Sequence, residues 1–306
     1  MPVQTLEPAV EKLPGEPAII AAPKPEKPEK AEEKEYVRFT VLNRTLHLTM
    51  MLSFIVLALT GLSLKFSYTA WAVKLSHWLG GFETAGLMHR IAAFVMFGTF
   101  GTHLVDILRV KRQERWSWRE LVLGPGSMMF TLQDVRDFIA TVKWFIGLGP
   151  RPRYGRWTYW EKFDYFAVFW GMFAIGFTGL MLWFPLFFTR FLPGSLLNVA
   201  TIVHSDEALL AVGFIFTIHF FNTHLRPEKF PMDSCIFTGQ MTLEELKRDK
   251  PREYEQMVAS GQLEKSLAAP QSARFIKVCR VFGWTVLTLG LAVVLLIAYA
   301  MIFAHA

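Results

Sequence analysis

The chain contains eight histidines, at positions 47, 77, 89, 103, 204, 219, 224 and 305. His47, His89, His103, His204, His219 and His224 fall within or at the edges of long apolar stretches. An imidazole in hydrocarbon has no water to bond to and needs a neighbouring helix, a proton route or a metal. His89 and His103 are 14 residues apart, so on an α-helix they differ by about 40° in direction and about 21 Å in depth. His204 and His219, 15 apart, differ by about 60° and about 22 Å. If both helices cross in the same direction, His89 shares a depth with His204 near the outer face. His103 and His219 then share one near the inner face. One intramembrane histidine is explained by a hydrogen bond to a neighbouring helix, but four at two matched depths suggest shared ligands. Two bis-imidazole sites stacked across the membrane are the donor set of six-coordinate b-type haem. Such iron has no open position and relays electrons.

The inner pair has two readings: His219 with His103, or with His47, which is shallower. His224 is shallower still, and on an ideal helix it points about 140° away from His219. A third haem follows if His47 pairs with His224; otherwise one of them lines a quinone pocket. Groups at the inner rim able to handle protons are His224, Glu161, Lys162, Asp164, Glu228 and Asp233. Arg90 adjoins His89 and could pair with haem propionates, its protein alternatives being Asp206 and Glu207. Other chemistries find no support. No C-x-x-C-H attaches a c-type haem, and the two cysteines, Cys235 and Cys279, form no iron–sulfur or zinc cluster. No Gly-rich nucleotide loop, metalloprotease motif or internal repeat is evident.

These residues must be positioned by membrane helices. The 306-residue chain is 52% hydrophobic and 15% aromatic, a membrane composition. Apolar windows near 46–66, 86–108, 164–188, 199–223 and 281–303 each have about the 20 residues that cross hydrocarbon. The expected fold is all-α and polytopic, with five transmembrane helices, four of them forming a haem-binding bundle. Of 32 Lys and Arg, 28 lie in 1–45, 109–163 and 225–280, which places those segments in the cytoplasm. The N-terminus is then cytoplasmic, the C-terminus periplasmic, and both cysteines are reduced thiols. With no apolar core ahead of it, the first span serves as the insertion signal. The net charge of +6 suits anionic lipid and requires no nucleic acid.

The expected organisation is a disordered cytoplasmic tail (1–36, rich in Pro, Glu and Lys) and a four-span bundle (37–230). A cytoplasmic loop with short surface helices (231–273) and a fifth span (274–306) follow. Within the bundle, "TLQDVRDFIATVKWFIGL" near 131–148 places Leu132, Val135, Phe138, Ile139, Val142, Phe145 and Ile146 on one face, as an interfacial helix does. Thr242 and Glu245 are spaced as a capping box.

"RTLHLTMMLSFIVLALTG", "LMHR", "RWTYWEKFDYFAVFWG" and the pair His204 and His219 together resemble the membrane cytochrome b subunits of formate dehydrogenases and nickel–iron hydrogenases. The resemblance covers roughly residues 38–260. "IHFFNTHLRPEKFPMD" is similar to a subgroup that accompanies periplasmic multihaem c-type cytochromes. The resemblance implies an outer haem on His89 and His204 and an inner one on His47 and His219. His103 departs from that pattern; its 14-residue spacing instead resembles the cytochrome b of bc-type complexes. An Asn of the family's quinone site corresponds here to Thr158.

The expected function is that of a b-type cytochrome subunit in a bacterial inner membrane. It would relay electrons between a periplasmic partner, a multihaem cytochrome c or an iron–sulfur or catalytic subunit, and menaquinone or ubiquinone. Substrate chemistry would lie in another subunit, because the outer loops are too short for a catalytic domain. The competing reading is a transporter, membrane anchor or assembly subunit whose histidines carry no haem.

Overall fold

The computed structural model describes residues 34–230 and 232–303. Most of the expected tail lies outside them, as does His305. Residues 35 and 36, assigned to the tail by composition, belong instead to a strand, β1 (Glu35–Val37).

Five helices are long and apolar enough to cross a membrane: Val41–Lys65, Phe82–Gln113, Tyr159–Trp183, Ser195–Leu225 and Ala273–Phe303. The chain is an all-α, multi-pass membrane protein. Large apolar side chains such as Phe94, Phe173, Leu210 and Leu295 stand exposed on these helices, where lipid rather than water is the solvent. The first two spans are α1 (Val41–Lys65) and α3 (Phe82–Gln113), joined through α2 (Ala70–Trp78). Short α4 (Trp118–Leu123) and longer α5 (Leu132–Phe145) lead to the third span. That span is α6 (Tyr159–Gly171), a π turn (Met172–Gly176) and α7 (Phe177–Trp183). After α8 (Pro185–Phe188), the fourth span runs through α9 (Ser195–Phe214) into π segments Ile215–His219 and Phe221–Leu225.

The first span packs along the second and touches the fourth. Leu62, Phe66, Val212, Phe216, Phe220, Leu287 and Ile297 form their shared core. Residues 287 and 297 come from the fifth span, α13 (Ala273–Phe303), numbered after three short helices described below. It closes on the fourth where Gly290 leaves room for the Phe216 ring; a Cβ there would overlap it.

At one end of the bundle β1 pairs antiparallel with β2 (Gln240–Thr242) and β3 (Leu267–Ala268), in the order β2-β1-β3. α10 (Cys235–Thr238), α11 (Leu243–Asp249) and α12 (Pro251–Ala259) surround this sheet, and Thr242 and Glu245 form the expected capping box of α11. Arg38 bonds Glu253 at 3.0 Å, Arg156 bonds it at 2.8 Å, and Arg151 bonds Glu228 at 3.1 Å. The lead-in to the first span, the loop between spans two and three and the loop after span four therefore meet at one face. They are the described parts of the three basic segments.

α5 is inside-out relative to a soluble helix. Asp134, Asp137 and Thr141 are buried, while Leu132 and Phe145 are 77% and 76% exposed. Asp134 pairs with Lys162 at 2.9 Å, Arg252 bonds Asp137, and Thr141 bonds Tyr154. Its polar face is thus tied to the protein and its apolar face is left for the bilayer surface, as an interfacial helix requires.

Candidate functional site

His89 on α3 and His204 on α9 face each other, with ring centroids 6.1 Å apart and planes at 69°. Two imidazoles bound across one metal at about 2 Å per bond would sit at roughly this separation. Each ring is held through Nδ1. The Thr60 hydroxyl lies 2.9 Å from His89 Nδ1, and the Ile175 carbonyl, in the π turn of the third span, accepts from His204 Nδ1 at 2.9 Å. Fixing Nδ1 directs Nε2 toward a ligand, the arrangement that metal-binding histidines use. Both rings rest on glycines: a Cβ at Gly61 would lie 3.3 Å from His89 Cε1, and one at Gly179 would lie 2.9 Å from His204 Cε1.

The donor set therefore fits a bis-histidine haem. Arg90 fits the accompanying role of anion partner. It is exposed and makes no hydrogen bond or ion pair among the described residues. Its protein alternatives are engaged elsewhere: Asp206 with Lys65 at 2.7 Å, and Glu207 with the Trp170 indole at 3.3 Å.

Toward the sheet-bearing face the spans and their connecting loops line a partly open cavity of about 1300 Å³, above the 300–1,000 Å³ typical of small-ligand pockets. His47, His103, His219 and His224 all line it. His219 Nδ1 lies 2.9 Å from Asp164 Oδ2, so a carboxylate orients this ring and leaves its Nε2 open. His47 lies within electrostatic reach of both His219 and His224. His103 is placed otherwise: its Nε2 lies 2.9 Å from the Tyr165 hydroxyl, and its charged neighbour is Asp106. Of the two candidate partners, His47 rather than His103 is thus the one within electrostatic reach of His219.

The expected 140° between His219 and His224 holds only for an ideal α-helix. The fourth span is not an ideal α-helix at this point. In a π segment the hydrogen bond runs from i to i+5, so positions five apart fall about one turn apart. His219 and His224 are such a pair, and both lie within electrostatic reach of His47.

The expected proton-handling groups divide in two. Thr158 caps α6, its hydroxyl and backbone N–H both donating to Glu161. Glu161 also pairs with Lys250 and Arg38, Lys162 with Asp134, Glu228 with Arg151, and Asp233 with Lys229. These five residues are engaged in a cap and in ion pairs, of which those of Glu161 and Asp233 line the cavity. Burial there draws the Lys250 ammonium down to about 8, with the Glu161 carboxylate opposing the shift, and pushes the Cys235 thiol up to about 12. Asp164 and His224 differ: Asp164 Oδ1 and His224 Nδ1 are buried without a hydrogen-bond partner. Two unpartnered polar atoms on residues lining one cavity mark a place where a polar ligand would be held.

Several residues of the site carried no recognised signal in the sequence: Thr60, Tyr165, the Ile175 carbonyl, and the glycines at 61 and 179. One signal was present. The tripeptide Thr-Gly-Leu occurs twice, at 60–62 and 178–180, and each glycine underlies a histidine of the following span. Among the described residues, no group of three or more His, Cys, Asp or Glu side chains could hold a metal ion by themselves; a bis-histidine haem site has only two such ligands. No protein-family model matches the chain, and no curated protein is significantly similar to it.

Proposed function

We propose that this chain is the b-type cytochrome membrane subunit of a bacterial respiratory complex, relaying electrons between a periplasmic redox partner and the quinone pool. The observation that carries the reading is the treatment of His89, His204 and His219. Each is held at Nδ1, by Thr60, the Ile175 carbonyl and Asp164 respectively, so that Nε2 is left for coordination. Haem b bound by two such imidazoles supplies a one-electron carrier with no open coordination position.

His89 and His204 hold the outer haem, and Arg90 offsets the charge of its propionates. His47 and His219 would hold the inner haem, toward the sheet-bearing face. The cavity at the inner face seats menaquinone or ubiquinone, which takes up two electrons and two protons on reduction to quinol and returns them in the reverse direction. Asp164 and His224, with their unpartnered atoms, are the groups able to hold protons beside it. The ion pairs of Glu161 and Asp233 lie in the cavity lining. The outer loops leave substrate chemistry to a periplasmic partner, a multihaem cytochrome c or an iron–sulfur subunit.

The test is a reduced-minus-oxidised spectrum of the purified chain produced with haem supplied. A b-type α band is expected, and His89→Ala or His204→Ala should each remove about one haem equivalent. A chain without a Soret band would refute the reading and leave the histidines to a proton-relaying transporter or a membrane anchor.

A further inference from the structure

His103 is the one cavity histidine for which the arrangement above finds no use. It sits in the second span with Nε2 against the Tyr165 hydroxyl at 2.9 Å, ring centroids 5.6 Å apart and planes at 80°. Tyr165 follows Asp164 directly in α6. Adjacent residues of one helix thus reach to different spans, Asp164 to His219 and Tyr165 to His103. One turn up the helix, Phe100 meets Phe169 edge to face at 4.9 Å. These ring contacts bridge the second and third spans along the cavity wall. The rest of that wall is largely apolar and includes Met96, Phe130 and Phe166.

We infer that the His103–Tyr165 couple is the polar anchor of a quinone headgroup seat, and that His103 is not a haem ligand. The inference rests on the proposed quinone-linked reading and names the seat within it. A quinone ring is flat and apolar with a carbonyl at each end, so it requires aromatic walls and a hydrogen-bond donor at the carbonyl. The wall supplies Phe100, Phe166 and Phe169 for the ring, and a phenol–imidazole pair that spends one proton on its own bond and keeps one for a carbonyl oxygen. A histidine coordinating iron through Nε2 could not keep the Tyr165 bond observed here. As a couple, either residue donates to the ligand while the other keeps it oriented.

The experiment uses the full-length chain in nanodiscs: wild type, Tyr165→Phe and His103→Gln. Haem content, haem reduction by dithionite, haem reduction by menadiol, and binding of a fluorescent quinoline N-oxide quinone analogue are measured. Both variants should keep wild-type haem content and full dithionite reduction. Menadiol reduction should slow at least tenfold, and the analogue should bind at least tenfold more weakly. Loss of a haem equivalent in His103→Gln would overturn the inference by making His103 a ligand. Unchanged menadiol rates and analogue affinity in Tyr165→Phe would overturn it equally. A wild-type chain without haem would sink the proposed function instead, and analogue affinity in wild type against Tyr165→Phe would still decide the seat.

Discussion

Gly179 offers a stringent test of the outer site, because it touches no ligand and alters chemistry only through a neighbour's position. An alanine there sets its Cβ 2.9 Å from His204 Cε1 and 3.2 Å from Nδ1. Carbon atoms pack at about 3.5–4.0 Å, so the ring must retreat by roughly 0.5–1 Å. Its bond to the Ile175 carbonyl, now 2.9 Å, would stretch beyond hydrogen-bonding range. Losing such a bond costs about 1 kcal/mol net, and disturbing a group that orients a metal ligand lowers affinity about 10–100-fold. That factor corresponds to about 1.4–2.8 kcal/mol. Gly61 is a graded comparison: its added Cβ would lie 3.3 Å from His89 Cε1, a contact that a small shift relieves, so Gly61→Ala should weaken the site by less than about tenfold. Gly98, in the second span with nothing within 4 Å of a built Cβ, is the control. Haemin titration of the purified chain, followed at the Soret band, should rank dissociation constants as wild type equal to Gly98→Ala, then Gly61→Ala, then Gly179→Ala. Wild-type affinity in Gly179→Ala, or an equal loss in Gly98→Ala, would refute the reasoning.

The two threonines of the repeated tripeptide should behave differently. Thr60→Val removes the partner of His89 Nδ1 and should weaken outer haem binding about tenfold. Thr178→Val removes a hydroxyl that only donates back to Ala174 and Ile175, so haemin titration should find it near wild type. If His47 and His219 share one haem, His47→Ala, His219→Ala and the double variant should each lose one equivalent by pyridine haemochrome; additive loss of two would separate them. The docking of α5 and α11 should depend on acid. Burial would raise Asp134 and Asp249, but bonds from Lys162 and Thr131, and from Arg248 and Lys229, hold both below the ordinary 3.8. Groups with lowered folded pKa values stabilise fully above the unfolded value, and that stabilisation is lost as pH falls through the folded one. Hydrogen-exchange protection factors at 132–145 and 243–249, taken relative to the intrinsic rate at each pH, should therefore be high at pH 6 and fall below about pH 4; equal protection at pH 6 and pH 3 would count against it. Asp134→Asn leaves the Lys162 ammonium buried without its carboxylate and should destabilise by about 3–5 kcal/mol in denaturant titration.

The spans were legible because hydrocarbon leaves the backbone no alternative to a helix, and depth needs only the rise per residue. That arithmetic paired His89 with His204 correctly in space. Angles were less legible. They assume 100° at every step, and the fourth span abandons that winding at Ile215, which removes the basis for the 140° expected between His219 and His224. β1 was illegible for another reason. Three residues are too few to show alternation, its partners lie more than 200 residues away, and the charged composition before it reads as disorder. Ion pairs such as Arg38 with Glu253 have no local signature, since a sequence displays charges but not their partners.

The Thr-Gly-Leu repeat shows how the same local sequence can serve two histidines by different means. In each case the glycine opens a recess on an odd-numbered span, and a histidine of the next span fills it. In the first span the adjacent threonine also bonds that histidine. In the third, Thr178 donates to carbonyls of its own helix. There the acceptor for His204 is the Ile175 carbonyl, which lies in the π turn Met172–Gly176. A π turn changes which carbonyls its helix uses internally, and such turns recur where a helix must present a backbone group sideways. The 15-residue interval from His204 to His219 fits the same logic. With slower winding at its end, that interval carries His219 round to Asp164 and His47 rather than to the direction an unbroken α-helix would give. Two irregular helices, not four ideal ones, thus decide which imidazoles meet.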